Sequence, residues 1–157
     1  MSKPFLAKDI MVTSLVTLSP KMDVYEAIDV LLRHKISGAP VVDEKNHLLG
    51  AFSERGCMAV MIRGAVDVLP SAEVEAFMQP RDDVETITEE THLLTIAQIF
   101  IKTHARRLPV LRGEKLVGQV SRRDVVKAAR ELIHDAPEAK SAFLYLSAIN
   151  ERQHAPI

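Results

Sequence analysis

Two short segments of this chain carry residues whose types and spacing suit ligand binding. Ser121–Asp124 reads Ser-Arg-Arg-Asp, and Ser53–Gly56 reads Ser-Glu-Arg-Gly, with glycine where the other segment has its carboxylate. A carboxylate accepts two hydrogen bonds from a pair of neighbouring hydroxyl groups, and charged acceptors form the stronger bonds. If a helix begins at Arg122, its first backbone N–H groups favour an anion, and Arg123 is placed to reach a phosphate.

The same spacing also has a structural explanation. Serine followed three residues later by an acidic residue is a capping box, whose side chains accept hydrogen bonds from backbone N–H groups at a helix start and contribute about 1 kcal/mol each. On spacing alone, a cap is the favoured interpretation of Ser121 and Asp124. Because Gly56 replaces the carboxylate in the first segment, we expect one good binding site in the chain and not two.

The remaining reactive residues form no catalytic or metal-binding motif. The six histidines are dispersed without metal-ligand spacing, and the single Cys57 has no histidine beside it in a recognisable motif, which favours a buried structural cysteine. The sequence contains no phosphate-binding loop, no dinucleotide-binding glycine turn and no nucleophile elbow. We therefore predict no catalytic residue, no metal site and no enzymatic activity.

Composition indicates a folded chain. With 47% hydrophobic residues over 157 positions the chain can bury a substantial core, and a single cysteine excludes an internal disulfide. No segment has the length of apolar sequence that spans a bilayer, and the N-terminus lacks the apolar region of a signal peptide. These features predict a cytoplasmic protein without a membrane partner.

Charge is distributed unevenly along the chain. The net charge of −1 and the 4% aromatic content argue against a nucleic-acid partner. Residues 67–90 hold eight acidic residues against one base, whereas residues 102–130 hold nine bases against two acids. The basic segment is either solvated surface charge or a local surface that faces a small anion.

A repeat organises these segments. Thr17 and Pro40 return as Thr86 and Pro109, an offset of 69 residues, and Gly50 returns as Gly118, an offset of 68. Each copy of roughly 55 residues buries too little apolar surface to be more than marginally stable alone, so we expect the two copies to pack together. The predicted fold class is α+β: two repeats, each a small sheet with two helices, related by pseudo-twofold symmetry with a ligand cleft between them.

Each copy is predicted to contain a strand, a helix, a hairpin and a final helix. In the first copy we expect a strand at 15–18, a helix opened by Ser19 and Pro20, hairpin strands at 39–42 and 48–53, and a helix from 54 to about 63. In the second copy we expect a helix opened by Thr88, hairpin strands at 109–111 and 116–120, and a helix from 122 to about 134. The buried helix faces are predicted to be Val24, Ala27, Ile28, Leu31 and Leu32, and Leu93, Ile96, Ala97, Phe100 and Ile101.

The repeat and the residues that separate its two copies predict four parts of the chain. Residues 1–64 are the first domain, 65–76 a linker with a short helix, 77–134 the second domain and 135–157 a C-terminal helix or tail. The short helix is expected over 71–78, opened by Ser71 as its cap.

The ordered motifs of both copies resemble the CBS domain, the module first named from cystathionine β-synthase. The resemblance covers about residues 8–134 and rests on 17–20, 36–43, 49–50 and 53–55 in the first copy, and on 107–110, 116–118 and 121–124 in the second. It implies a stand-alone pair of CBS domains, called a Bateman module. Such pairs commonly dimerise into a flat disc and bind AMP, ADP, ATP or S-adenosylmethionine.

The resemblance also implies a ligand site built from both copies. The residues that it assigns are Thr17, Ile36, Ser37, Gly38, Ala39 and Pro40 from the first copy, and Arg107, Ser121, Arg123 and Asp124 from the second. The segment 36–40 would hold the adenine, Asp124 the ribose hydroxyls, and Arg107 a phosphate. The pseudo-symmetric second site, with Thr86, Ser53 and the segment 106–109, has two arginines where a base suits apolar residues.

These expectations define a regulatory module. It would require no cofactor, sense an adenosine-containing ligand, and signal by conformational change to an unknown regulated protein on another chain, as a homodimer. The alternative is a ligand-independent scaffold for dimerisation or partner docking. Gly56 and the two arginines would fit this alternative, because they indicate an eroding site, one that is losing its ligand-binding residues.

Overall fold

The computed structural model describes residues 6–66 and 72–135, except for the side chain of Asp135. Its helices are α1 (Ala7–Ile10), α2 (Val24–His34), α3 (Glu54–Val66), α4 (Leu93–Lys102) and α5 (Arg122–Asp135). Its strands are β1 (Gly38–Val42), β2 (Leu48–Ser53), β3 (Gln79–Pro80), β4 (Ile87–Thr88), β5 (Arg107–Arg112) and β6 (Lys115–Ser121). The described part of the chain therefore has the predicted α+β class, with two three-stranded sheets.

The first sheet contains the predicted hairpin of the first copy. Strand β1 pairs antiparallel with β2, and β2 pairs antiparallel with β3, so the order is β1-β2-β3. Gly50 lies opposite Pro80, and a Cβ at this position would stand 2.3 Å from the carbonyl oxygen of Gln79. Glycine is required here because the third strand approaches the backbone closely.

The second sheet has the order β4-β5-β6. Strands β5 and β6 are joined by a two-residue turn in which Gly113 adopts φ +63°, a left-handed conformation that glycine tolerates. Helix α5 follows β6 directly, as α3 follows β2. Both predicted hairpins and both final helices are confirmed by the structure.

The starts of α2 and α4 differ from the prediction. Helix α2 begins at Val24, and the carboxylate of Asp23 accepts hydrogen bonds from the backbone N–H groups of Tyr25 and Glu26. Helix α4 begins at Leu93 after His92, whose ring nitrogen accepts from the N–H of Leu94. Ser19 and Thr88 therefore do not cap these helices.

The predicted apolar faces also contain two errors. Val24, Ala27 and Leu31 of α2 are buried, and so are Leu93, Ile96 and Phe100 of α4. In contrast, Leu32 is 72% exposed and Ile101 is 83% exposed. Both lie at the edge of the predicted stripe, where the helix surface turns away from the core.

Two other predicted elements are replaced by smaller ones. No named strand covers 15–18 in this described segment, and Leu18 instead forms an isolated parallel bridge with Val41. The predicted helix at 71–78 is a single 3₁₀ turn over Val74–Ala76, and Ser71 lies outside the described residues. Of the predicted C-terminal helix or tail at 135–157, only Asp135, the last residue of α5, is described, and the rest lies outside the described residues.

The chain divides into two compact units whose bounds differ from those of the two repeats. Each unit consists mostly of one repeat and includes a short segment of the other. The first-repeat unit contains Thr13–Thr86 and Leu111–Gly118, and the second-repeat unit contains, among described residues, 6–12, 87–110 and 119–135. The core of the first-repeat unit surrounds Val41 and Phe52, with a smaller cluster of Leu48, Leu111 and Leu116. In the second-repeat unit Leu93 packs with Ala128 and Leu132. The predicted domain boundaries at 64, 76 and 134 stay predictions.

Candidate ligand site

Ser121 and Asp124 form a reciprocal cap at the start of α5. Oδ2 of Asp124 accepts hydrogen bonds from the backbone N–H of Ser121 at 2.8 Å and from its hydroxyl at 2.9 Å. The backbone N–H of Asp124 lies 3.2 Å from the Ser121 hydroxyl oxygen in the return direction. The structural explanation of this pair is therefore correct, and the cap fixes the position of the carboxylate.

The cap leaves part of the carboxylate available. Both hydrogen bonds from Ser121 reach Oδ2. Within the described residues, no side chain or backbone group donates a hydrogen bond to Oδ1 of Asp124. The side chain is half-buried, as is that of Ser121. A carboxylate held through one oxygen is oriented by the protein and keeps acceptor capacity for a hydroxyl group of a ligand.

Arginine residues flank this cap in the sequence. Nε of Arg122 donates to the carbonyl oxygen of Ala105 at 3.2 Å, which joins the start of α5 to the residues immediately before β5. Arg106 and Arg107 follow Ala105 directly, and Arg123 follows Arg122. The structure thus brings four of the predicted residues, Arg107, Ser121, Arg123 and Asp124, to one end of the β5–β6 hairpin.

The predicted residues of the first copy lie in the first-repeat unit around the start of β1. Thr17 is exposed, and the neighbouring Leu18 donates its backbone N–H to the carbonyl oxygen of Pro40 at 2.9 Å. Ala39 and Pro40 are buried, whereas the other three predicted residues, Ile36, Ser37 and Gly38, are half-buried. The structure brings these residues together at one end of the β1–β2 hairpin.

Gly38 has a structural reason that the sequence did not reveal. It lies opposite Ser53 in the β1–β2 ladder, and an added Cβ would stand 3.2 Å from both the Phe52 carbonyl oxygen and the Ser53 Cβ. The carbonyl oxygen of Ser37 also accepts a hydrogen bond from the N–H of Glu54 at 2.9 Å. This end of the hairpin is therefore tightly packed, which by itself favours a residue without a side chain.

Gly56 is explained by packing as well. A Cβ there would stand 2.8 and 2.9 Å from two atoms of the Phe52 ring and 3.0 Å from the carbonyl oxygen of Phe77. An aspartate in this position would have to displace a fully buried phenylalanine. The first copy consequently has no room for the carboxylate that the second copy carries.

Three further observations concern the cysteine, metal-ligand groups and membrane-spanning helices. Cys57 is half-buried against the core of the first-repeat unit, and burial raises the pKa of its thiol above the ordinary value. Within the described residues, no group of three histidine, cysteine, aspartate or glutamate side chains is arranged to hold a metal ion. In residues 6–66 and 72–135, no helix combines the length and the apolar content needed to cross a membrane.

Comparison with known proteins identifies the family. The profile of the CBS domain matches residues 7–63 and 74–131, most of the chain. The chain belongs to the CBS domain family. The two matches coincide with the two copies of the repeat, so this chain carries a pair of CBS domains.

Individual relatives agree with this assignment. An uncharacterized protein of Methanocaldococcus jannaschii is 32% identical over 120 residues, which cover 76% of this chain and 41% of that protein. Inosine-5'-monophosphate dehydrogenase of Aquifex aeolicus is 32% identical over 118 residues, which cover 74% of this chain and 23% of the enzyme. The chain therefore spans less than half the length of either of these relatives.

The chain also matches a solved CBS pair over nearly the whole length of that protein. CBSX2 of Arabidopsis thaliana, crystallised in complex with AMP, superposes with a TM-score of 0.72 at 26% identity and covers 83% of this chain and 99% of that one. The fold expected from the repeat is thus the fold of known CBS-pair proteins.

Proposed function

We propose that this CBS pair is a regulatory module that binds an adenosine-containing ligand. Support comes from family membership and from the likeness to a CBS pair crystallised with AMP. The observation that carries the proposal is the geometry of Asp124, whose Oδ2 is held by Ser121 while Oδ1 keeps its acceptor capacity. In the proposed complex Asp124 accepts hydrogen bonds from the ribose hydroxyl groups, and Arg107 and Arg123 contact phosphate.

The residues of the first-repeat unit belong to the same proposal. Ile36, Ser37 and Gly38 are half-buried and so remain partly accessible to a ligand, whereas Ala39 and Pro40, which follow in strand β1, are buried. Thr17 exposes a hydroxyl that can donate to or accept from a ligand. Replacing Thr17 with valine tests this part separately, since the exposed side chain can change without disturbing the core.

The central experiment is calorimetric titration of the protein with AMP, ADP, ATP and S-adenosylmethionine. Asp124→Asn keeps an oxygen for the cap but removes the charge and the second acceptor oxygen. Because a hydrogen bond to a charged group is worth about 1.5–3 kcal/mol, this variant is expected to bind about tenfold more weakly or worse.

Ser121→Ala is the matched control for the cap. It removes the hydroxyl from the same hydrogen-bonded pair and is expected to cost about 1 kcal/mol of stability, while Asp124 keeps its charge. If Asp124→Asn binds as tightly as the unchanged protein, or if none of the four compounds binds below about millimolar, the proposed site is wrong.

Signalling completes the proposal. The module would act by binding alone, without a reaction or a required cofactor, and ligand binding would shift its conformational equilibrium. A regulated protein, or a second copy of the chain, would recognise the shifted state. A cytoplasmic location belongs to this proposal, since adenine nucleotides would be the regulatory signal.

Helix α3 favours a second candidate function, ligand-independent dimerisation. Met58, Met61, Ile62 and Val66 are each more than half exposed on this one helix. Beside them Ala59, Ile62, Arg63, Ala76, Phe77 and Met78 line a shallow pocket of about 480 Å³. A concentration of exposed apolar side chains of this kind is typical of an interface, and a second copy of the chain is the occupant that we propose.

Sedimentation velocity tests this candidate. The unchanged protein is expected to sediment as a dimer, and the double variant Met61→Glu/Ile62→Glu as a monomer. Arg55→Glu, an exposed change on the same helix, is expected to leave the dimer intact. An equal mass for the unchanged protein and the double variant would contradict dimerisation through α3.

A further inference from the structure

Residues 6–12 contact two elements of the second-repeat unit, and we call them the N-terminal strap. The N–H of Val12 donates to the Gln119 carbonyl oxygen at 2.9 Å, and the N–H of Gln119 donates to the Val12 carbonyl oxygen at 3.0 Å. Ile10 packs against the apolar cluster that includes Leu132 of α5. The strap therefore contacts β6 through a pair of hydrogen bonds and α5 through apolar side chains.

Strand β6 and helix α5, the two elements that the strap contacts, meet at the Ser121–Asp124 cap. Gln119 lies two residues before Ser121, the last residue of β6, and Asp124 lies in the first turn of α5. The N–H of Ser121 donates to Oδ2 of Asp124 at 2.8 Å, so this hydrogen bond depends on how the strand and the helix are oriented. Because the strap contacts both elements, it is placed to stabilise that orientation.

Several contacts of the strap are individually weak. Helix α1 has only four residues, far fewer than an isolated helix needs to be stable in water. Nζ of Lys8 lies 3.1 Å from Oε1 of Glu90, but both side chains are exposed, and exposed ion pairs contribute little. Val12 is 48% exposed, whereas Ala7 is fully buried. These features are typical of a segment that opens locally at a lower free energy than the rest of its domain.

We propose that the N-terminal strap positions the ligand-binding carboxylate, and that closure of the strap and ligand binding favour one another. With the strap closed, β6 and α5 keep the orientation in which Asp124 can accept a hydrogen bond from a ligand hydroxyl group. With the strap open, the carboxylate is less well oriented and the affinity falls. The inference rests on the proposed adenosine site and adds a means of regulating it, since any change that opens the strap lowers the affinity. Such coupling is reciprocal, so a bound ligand must also disfavour opening of the strap.

Substitution of Val12 tests the link between the strap and the cap without any ligand. Val12→Pro removes the N–H that donates to Gln119, and the preceding Met11 already has ψ 148°, which suits a residue before proline. In NMR-detected hydrogen exchange, the amide of Ser121 is expected to exchange about fivefold faster in this variant, as the loss of one hydrogen bond allows. Val12→Ala is the matched control, because it shortens the same exposed side chain and keeps the N–H. It should change the exchange rate of Ser121 less than about twofold.

Calorimetric titration with AMP tests the link between the strap and the ligand. Val12→Pro is expected to bind AMP about three- to tenfold more weakly than Val12→Ala. In the unchanged protein, saturating AMP is expected to slow exchange of the Gln119 amide by at least the same factor. The amide of Asn46, which donates to the Asp43 carbonyl oxygen in the β1–β2 turn, is the internal control and should be slowed less. If AMP does not bind, ADP, ATP and S-adenosylmethionine are used in the same way.

The outcomes separate this inference from the proposed function. Equal exchange of the Ser121 amide in the two Val12 variants would overturn the role of the strap, whether or not a ligand binds. Equal affinity in both variants, or no slowing at Gln119, would overturn the coupling and leave the adenosine site standing. The measurement at Gln119 uses the unchanged protein, so it decides the question even if Val12→Pro does not fold. Failure of all four compounds to bind would overturn the proposed function, and with it the coupling to a ligand.

Discussion

At the scale of single residues, Gly56 and Asp124 show how one position is used differently in the two copies. From sequence, Gly56 suggests an eroding site. The structure gives it a packing role, because the Phe52 ring and the Phe77 carbonyl oxygen occupy the space of a side chain. Its counterpart Asp124 lies beside Ser121, which orients its carboxylate. The asymmetry of the pair is therefore built into the core of the first-repeat unit.

Substitution of Gly56 tests this packing. Gly56→Ala places a methyl group within 3 Å of the Phe52 ring and is expected to destabilise the protein by about 1–3 kcal/mol. Gly64→Ala is the control on the same helix, since an added Cβ there would meet only the Tyr25 hydroxyl oxygen at 3.9 Å. It should instead stabilise α3 by about 0.5–1 kcal/mol. Urea unfolding of both variants measures the difference, and equal effects would contradict the packing explanation.

The turn between β1 and β2 contains a carboxylate with a lowered pKa. Oδ1 of Asp43 accepts from the backbone N–H groups of His47 and Lys45, both at 2.9 Å, and Oδ2 lies 3.0 Å from the His47 ring. The hydrogen bond from the His47 backbone is the largest cause that holds the pKa of Asp43 below 3.8, with the His47 side chain and the Lys45 backbone adding to it.

The sign of the pH effect follows from that direction. A carboxyl group whose pKa is lowered by folding stabilises the folded state at any pH above its pKa in the unfolded chain. That stabilisation is lost as the pH falls through its pKa in the folded protein. NMR titration of the Asp43 carboxyl carbon should give a midpoint below 3.8. His47→Ala should move the midpoint upward, and a midpoint that does not move would show that the ring contributes nothing.

At the scale of elements, the helices show which signals are local and which are not. Periodic apolar residues predict the bodies of α2 and α4, and sequence continuity predicts that α3 and α5 follow their hairpins. The caps are less predictable, because several polar residues precede each helix. Asp23 and His92 take this role because Val24 and Leu93, the first helical residues, are the ones that reach the core.

The end of α2 offers a test at this scale. Lys35 adopts φ 53° and ψ 44°, a left-handed conformation that costs a residue with a Cβ about 1 kcal/mol. Lys35→Gly is therefore expected to stabilise the protein by about 0.5–1 kcal/mol in thermal or urea unfolding. Arg33→Gly, inside the last turn of the same helix, should have the opposite sign. Destabilisation by both changes would contradict a strained helix end.

At the scale of the whole molecule, the compact units do not coincide with the repeats. Residues 6–12 join the second-repeat unit, where the N–H of Ala7 donates to the Thr91 carbonyl oxygen at 2.8 Å and Ala7 is fully buried. Residues 111–118 join the first-repeat unit, where the N–H of Leu48 donates to the Glu114 carbonyl oxygen at 3.1 Å. Each repeat thus contributes a segment to the core of the other unit.

A ligand that binds only the folded protein should stabilise the whole molecule. At a free concentration one hundred times its Kd, the expected gain in unfolding free energy is about 2.7 kcal/mol. Differential scanning fluorimetry with ATP should therefore raise the Tm of the unchanged protein and raise that of Asp124→Asn much less. An equal rise in both would place the bound nucleotide away from Asp124.

The features that depend on nearby residues or on the repeat were predictable without the fold: the CBS pair, the two hairpins, the helices that follow them and the Ser121–Asp124 pattern. Turn residues, apolar periodicity and fixed spacing are local signals, so they can be read without the fold. The fold was needed to explain why Gly38, Gly50 and Gly56 are glycines and which segments complete each unit. Those depend on atoms brought together from distant parts of the chain, such as the hydrogen bond that joins Arg122 to Ala105.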